Sequence, residues 1–203
     1  MKKCIKKIPL AVTIAGMIMM MAGCAGMNQG GYPMLGTIAP VVSTSGSSMG
    51  PVVAVGPIDV PGYIERASTI METTVNMANV SSIDQRVYVL KREIPMVITE
   101  NLRVLFAPAG IAVVPYTHGS VSDYRVAIDL TVFDIAGSGL IETKARWALY
   151  SKRVSAPVLV RDISFNTPVE RRDDAGVNAA MSEALASLSR SIAQGARPVL
   201  EGK

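Results

Sequence analysis

The stretch Tyr124-Arg-Val-Ala-Ile-Asp-Leu-Thr-Val-Phe133 decides the fold, because apolar and polar side chains alternate along it. Alternation with a period of two is typical of a β-strand with one buried face. Ala136-Gly-Ser-Gly139 follows and is a hairpin turn signal. The next stretch places Ile141, Thr, Ala, Trp147 and Leu149 on one side and polar residues mainly on the other. The sequence therefore predicts an antiparallel hairpin.

Further strands are predicted where β-branched residues cluster between turn signals. These stretches are Val52–Val60 with a bend at Gly56-Pro57, residues 68–80, Val87–Leu90, Ile111–Val114 and Val158–Phe165. Residues 68–80 are ambiguous between helix and strand, and their threonines and valines favour strand.

Two stretches have the spacing of an amphipathic helix. The first contains Ile94, Val97, Ile98, Leu102 and Leu105, and the second contains Val177, Met181, Ala184, Leu185, Leu188 and Ile192. Pro95 suits the first turn of the first helix, which is predicted to end at Pro108 and Gly110.

Asp173 or Asp174 can cap the second helix, and Gly195 followed by Pro198 is predicted to end it. The elements together predict an α+β domain over residues 52–200, an antiparallel sheet with two helices packed on one face. Apolar residues make up 49% of the 203-residue chain and charged residues 18%, which is sufficient for one packed core.

The chain begins with an export signal over residues 1–23. Four lysines precede a span without charge, Ile8–Ala22, which ends at Ala22-Gly-Cys24-Ala25. Met21-Ala-Gly-Cys24 resembles a bacterial lipobox, which implies acylation of Cys24, with palmitate-type chains that anchor the protein to a bilayer. Ala25, in place of an aspartate, resembles an outer-membrane address. The alternative is that Cys24 is one more small residue of an ordinary signal or anchor.

Residues 24–51 are predicted to be a flexible tether, because they carry no charge and are rich in Gly, Ser and Pro. Four of the chain's twenty basic residues lie in the leader, so sixteen remain against sixteen acidic residues. A domain without net charge excludes a generally basic nucleic-acid-binding protein.

The residue types argue against catalysis, a cofactor or a metal site. No cysteine follows Cys24 and His118 is the one histidine, so a zinc site of the usual nitrogen and sulfur type and a disulfide within the folded part are excluded, whereas a site built only from carboxylates stays open. His118 lies near Ser120, Ser122 and Asp123, but in one polar loop without the turn that presents a nucleophilic serine. Asp129 and Asp134 are five residues apart on one strand, which predicts opposite faces.

Several strings, in order, resemble the PqiC/YmbA-type family of ABC-type transport auxiliary lipoproteins. They are the lipobox, Val55-Gly-Pro-Ile-Asp-Val-Pro61, Gly62-Tyr-Ile-Glu-Arg66, the helix around Glu100-Asn-Leu102, Tyr124–Phe133, Ala145-Arg-Trp-Ala-Leu149 and the last helix. The chain departs from the family at Lys91–Pro95, where a Trp-Ala-Glu-Pro-Leu-like string is usual.

The resemblance implies a non-catalytic adaptor at the outer membrane that faces the periplasm. Its partners would be an MCE-type lipid-carrying protein and the membrane permease of the same phospholipid transport system. The alternative is a lipid-binding periplasmic lipoprotein with an apolar pocket. A hydrolase is a third class, which an activated serine would have to support. Self-association into a homo-oligomer stays open.

Four residues are candidates for contact with the partner. Tyr63, Glu65 and Arg66 follow the turn after the first strand, and Trp147 is the one indole of the chain. Each has a structural alternative, since residues 63–66 fit a capped loop and the Trp147 ring fits the core between sheet and helix.

Overall fold

A computed structural model describes residues 35–39, 50–65, 82–119, 121–136 and 139–202. The signal segment, Cys24, Arg66 and the strand predicted at residues 68–80 lie outside these ranges. The described elements are strands β1 (Val52–Asp59), β2 (Ala112–Pro115), β3 (Tyr124–Ala136), β4 (Leu140–Ser151) and β5 (Pro157–Pro168), helices α1 (Ser82–Phe106) and α2 (Asp174–Leu200), and a 3₁₀ helix (Ala107–Ala109).

The five strands form one mixed sheet in the order β2-β1-β3-β4-β5. The predicted hairpin is present, since β3 pairs antiparallel with β4, and β4 pairs antiparallel with β5. β1 runs parallel to both β2 and β3, so the sheet is mostly rather than wholly antiparallel. Side-chain alternation reports the buried face of a strand but not its direction. The α+β class is confirmed.

Helix α1 is longer than predicted. Val87–Leu90 is helical, so the strand predicted there is wrong, and Pro95 lies inside the helix rather than in its first turn. Leu90 is buried one turn before Ile94 and continues the apolar stripe, so packing against the core outweighs local β preference. Gly110, at a φ of 69°, ends the 3₁₀ helix that follows α1.

Helix α2 begins as predicted and ends later. The Asp173 carboxylate accepts a hydrogen bond from the backbone N–H of Gly176, which makes it the N-cap. Gly195 and Pro198 lie inside the helix, which continues to Leu200, so the predicted end is wrong. A Cβ at Gly195 would lie 2.8 Å from Cζ2 of Trp147, so this glycine lets the helix approach the indole closely.

The core lies between one face of the sheet and the two helices. Ile141, Thr143, Ala145, Trp147 and Leu149 are all buried, as the alternation in β4 predicts. They pack with the apolar stripes of α1 and α2 and with the inward residues of β1 and β3.

A β-bulge changes the face of the second half of β3. The pairing with β4 shifts between Leu130 and Val132, so that both Leu130 and Phe133 point into the core. Asp129 and Asp134 are consequently both exposed on the outer side, and the prediction that they lie on opposite faces is wrong. A bulge inserts one residue and reverses the alternation beyond it.

Part of the predicted tether packs on the domain. Leu35 is 7% exposed and belongs to the core cluster, and residues 35–39 bind to both long helices. The assignment of residues 24–51 to a free tether is therefore wrong for residues 35–39, because Leu35 supplies apolar surface that the helices bury.

Candidate functional site: the outer face of the sheet

The outer face of the sheet is the side opposite the helices. It is defined here by the outward residues of three paired strands: Arg125, Ala127 and Asp129 of β3, Arg146, Ala148 and Tyr150 of β4, and Val160 and Asp162 of β5. The part of the chain that the structure describes places no helix on this face.

Arg125 is held between two tyrosines at one end of the outer face. Its guanidinium carbon lies 5.3 Å from the centre of the Tyr116 ring and 4.3 Å from that of Tyr150. His118 stands 5.7 Å from Tyr116, ring centre to ring centre. Cation–π contacts of this kind fix the direction of a guanidinium and leave its N–H groups able to bind an anion. Within the described ranges, no carboxylate pairs with Arg125.

An apolar row crosses the face next to Arg125. Ala127, Ala148 and Val160 are neighbours across the three strands. Val160 is 42% exposed and Val158, on the same edge strand, is 41% exposed. An apolar row with a positioned cation at its end is a surface suited to a protein partner.

A charged row lies beyond the apolar one. Arg146 donates to both carboxylate oxygens of Asp162, with N–O distances of 2.7 and 3.2 Å. These hydrogen bonds lower the pKa of Asp162, which therefore stays ionised. Asp129 faces the same arginine across β3 and β4 and lines a shallow cavity of about 480 Å³. Asp162 is therefore not arranged to exchange protons near neutral pH.

The predicted contact residues Tyr63 and Glu65 have partners inside the chain. The Tyr63 hydroxyl donates to the carbonyl oxygen of Phe133, and burial raises the pKa of this phenol. Glu65 forms an ion pair with Lys91 at 3.6 Å, and Ile64 between them is fully buried. The turn after β1 is thereby clamped to β3 and to α1.

Trp147 is 1% exposed and packs against α2. Of its two predicted roles, packing between the sheet and a helix is therefore the one that the structure shows, because the ring fills the space beneath Gly195 and leaves no surface for a partner. The remaining candidate, Arg66, lies outside the described residues, as does the lipidation site Cys24.

The polar loop before β3 stabilises the sheet. The Asp123 carboxylate accepts the backbone N–H of Val52 at 2.9 Å and pairs with Lys152. These bonds lower the pKa of Asp123 and occupy the group that a catalytic triad would need to orient His118. Among the described residues, no three metal-binding side chains converge.

Local sequence patterns did not reveal the cluster of Tyr116, Arg125 and Tyr150. Alternation places Arg125 and Tyr150 on the outward side of their strands, but their contact depends on the register between β3 and β4. Tyr116 directly follows β2, which is separated from β3 by β1 alone. This strand order lets the Tyr116 ring reach Arg125 across β1. Strand order of this kind is not visible in a local pattern.

None of the helices in the described ranges combines the length and the apolar character that a membrane span requires.

Two solved structures resemble the fold. The crystal structure of an uncharacterized protein superposes with a TM-score of 0.54 at 16% identity and covers 81% of this chain and 96% of its own. That of a protein from Xanthomonas campestris has a TM-score of 0.47 at 17% identity and covers 79% and 90%, respectively. A comparison with curated proteins finds no match. The sequence model of one family matches residues 34–193, and the chain accordingly belongs to the ABC-type transport auxiliary lipoprotein components.

Proposed function

We propose that this protein is a lipid-anchored, non-catalytic adaptor of an MCE-type system that moves phospholipids between membranes. The observation that carries the proposal is the uncovered outer face, where Arg125 lies without a carboxylate partner among the described residues beside an apolar row. A transport auxiliary component of this family acts with other subunits, so a contact surface is the feature its function requires.

The anchor of the adaptor is Cys24. Acylation at this position, in the lipobox Met21-Ala-Gly-Cys24, attaches the mature chain to a bilayer through its acyl chains. Ala25 directs it to the outer membrane, where the domain faces the periplasm.

The chemistry of the outer face specifies its partner. Arg125 binds a carboxylate, and the adjacent row of Ala127, Ala148 and Val160 buries aliphatic side chains. We assign this face to a segment of the MCE-type carrier that presents an acidic residue next to aliphatic ones. Through it the carrier and its permease are linked to the outer membrane.

Affinity purification from detergent-solubilised envelopes tests the adaptor. The tagged chain is expected to retain an MCE-type carrier and a permease, at levels well above those of an untagged control. Recovery of the tagged chain with no MCE-type protein, after crosslinking in intact cells, would contradict the proposal.

A lipid-binding protein is the second candidate, and an apolar cleft favours it. The cleft has a volume of about 390 Å³ and lies where β1 bends; Ile58, Pro95 and Met96 line it, and so do the ion-paired Glu100 and Arg103. Met96 is 63% exposed at this position. Native mass spectrometry after exchange into a mild detergent separates the two functions. A binder retains a lipid in addition to its own acyl chains, whereas an adaptor retains protein partners.

A further inference from the structure

Residues 35–39, called the strap, lie in a groove between α1 and α2. Three backbone N–H groups of the strap donate to helix side chains. Leu35 donates to Oε2 of Glu93 at 3.1 Å, Gly36 to Oγ of Ser182 at 2.8 Å, and Ile38 to Oδ1 of Asn101 at 2.7 Å. Backbone groups, rather than side chains, make these bonds, as in the recognition of an extended peptide.

Two of the three acceptors, Glu93 and Asn101, are polar residues in buried positions of α1, and Ser182 of α2 is half-buried. Asn101 is fully buried and Glu93 is 9% exposed. Burial of such groups is costly unless they form hydrogen bonds, and the strap donates one to Glu93 and one to the side-chain carbonyl of Asn101, whose Nδ2 has no partner among the described residues. The Ser182 hydroxyl donates to the carbonyl oxygen of Asn178 at 2.7 Å. This bond orients the hydroxyl so that its oxygen can accept the Gly36 N–H.

The lengths of the strap and the helix match. Leu35 to Ile38 spans about 10 Å when extended, and Glu93 to Asn101 spans about 12 Å along α1. The strap therefore runs along α1 in the same direction, with its first residue near Glu93.

We propose that this groove is a binding site for an extended peptide backbone, which the strap fills, and that it makes Leu35 the fixed end of the membrane tether. The three acceptors belong to the helices, so the chain reaches the domain on its helical layer. The helical layer then faces the membrane and the outer face points away from it, toward the carrier. The orientation rests on the proposed anchor at Cys24, whereas the occupied groove does not.

The strap shortens the tether. The sequence places 11 residues between Cys24 and Leu35 and 28 between Cys24 and Val52, and random coils of these lengths would span about 20 Å and about 30 Å. The shorter span is close to the radius of gyration of about 15 Å expected for a domain of this size. A tether of this length restricts how far the domain can turn, and thus supports a preferred orientation.

Amide hydrogen exchange at single-residue resolution, on the purified lipidated chain in detergent, tests the groove. Leu35, Gly36 and Ile38 are expected to exchange more slowly than Thr37, whose amide makes none of the three bonds. Ser182→Ala should speed exchange at Gly36 by about 2- to 10-fold, the effect of losing one net hydrogen bond. Ser187→Ala, the same change on the same helix at a side chain that bonds Glu183 and Arg190 and not the strap, should leave it unchanged.

Glu93 offers a second pair of variants. Glu93→Ala should release Leu35, whereas Glu93→Gln keeps an acceptor oxygen and should retain most of the protection. Two results would show that the groove is not a binding site. In the chain without substitutions, the amides of Leu35, Gly36 and Ile38 would exchange as fast as that of Thr37. Alternatively, Ser187→Ala would speed exchange at Gly36 as much as Ser182→Ala does.

The orientation is tested on lipidated chains in phospholipid vesicles that carry a headgroup-linked fluorescence quencher. A fluorophore on Arg92→Cys, in α1, should be quenched more than one on Ser164→Cys, in β5, and the difference should shrink in the Glu93→Ala, Ser182→Ala double variant. Equal quenching in the chain without the double change would overturn the orientation. Failure to bind vesicles would count against the anchor instead, and the exchange experiment would still decide the groove.

Discussion

Gly195 shows how one residue sets the distance between α2 and the sheet. In an open helix, Gly→Ala would stabilise the fold by about 0.5–1 kcal/mol. Here the added Cβ would lie 2.8 and 3.1 Å from two carbons of the buried Trp147 ring. Gly195→Ala is therefore expected to lower the free energy of unfolding by about 1–3 kcal/mol in urea denaturation. Gln194→Ala, at an exposed neighbouring position, is the control, and an increase in stability with Gly195→Ala would refute the close packing.

Tyr63 gives a second prediction for a single residue. Tyr63→Phe removes the hydrogen bond to the Phe133 carbonyl and is expected to cost about 0.5–1.5 kcal/mol near neutral pH. Because burial raises the pKa of the Tyr63 phenol, the folded chain holds this proton more tightly than the unfolded chain. Its contribution is complete below about pH 10 and is lost as the pH rises further.

Unfolding in urea at pH 7 and above pH 10 measures the effect. The difference between the original chain and Tyr63→Phe should be smaller at the higher pH. A variant that matches the original chain at both pH values would show that the clamp on the turn after β1 contributes nothing to stability.

At the scale of elements, the start of α2 depends on one carboxylate. The hydrogen bond from the Gly176 N–H, together with Arg171, lowers the pKa of Asp173. A lowered pKa adds stability above the pKa of the unfolded chain, about 3.9, which is lost as the pH falls below it. Asp173→Ala should thus destabilise the domain at pH 7, and the deficit should shrink toward pH 3.

Asp173→Asn is the matched variant, since it keeps a side-chain oxygen for Gly176 without the charge. It should lose less stability at pH 7 than Asp173→Ala and should depend less on pH. Equal losses for both variants, as judged by thermal unfolding, would argue that the charge alone acts on the helix.

Strands were easier to predict from sequence than helix limits. β3 and β4 each bury one side of a long alternating stretch, which a local pattern reveals. The limits of α1 and α2 depend on tertiary packing, since Leu90 extends the first helix and the approach of Gly195 to Trp147 extends the second. The parallel direction of β1 follows from how the chain crosses between strands, and no residue of β1 encodes it.

The candidate site was harder to predict from the sequence than the limits of the helices. The alternation in β3 and β4 indicates which residues point outward, but the contact of Arg125 with Tyr116 and Tyr150 needs the strand order. Tyr63 and Glu65 were candidates for partner contact because they follow the turn after the first strand, with a capped loop as the alternative, and the structure gives them internal partners. The binding of the strap could not be predicted, because its uncharged composition is typical of a linker. Its hydrogen bonds come from backbone N–H groups, which every residue except proline has.

At the scale of the whole molecule, the anchor predicts a defined mature chain. Intact mass spectrometry should show a polypeptide that begins at Cys24 and carries acyl chains. Cys24→Ser should leave the protein unprocessed or release it from the membrane fraction, because its acyl chains supply the affinity for the bilayer. Unchanged membrane fractionation of Cys24→Ser, with ordinary signal cleavage, would contradict lipidation.

The central claim, that the protein acts by contact through its outer face, is tested most directly by a pair of surface variants in the envelope purification. Val160→Lys places a charge in the apolar row, and Met96→Lys places the same charge at the apolar cleft, both at exposed positions. The amount of MCE-type carrier recovered should fall at least tenfold with Val160→Lys and stay at the original level with Met96→Lys. Circular dichroism should show that both variants are folded. Full recovery with Val160→Lys, or loss with Met96→Lys alone, would contradict the account.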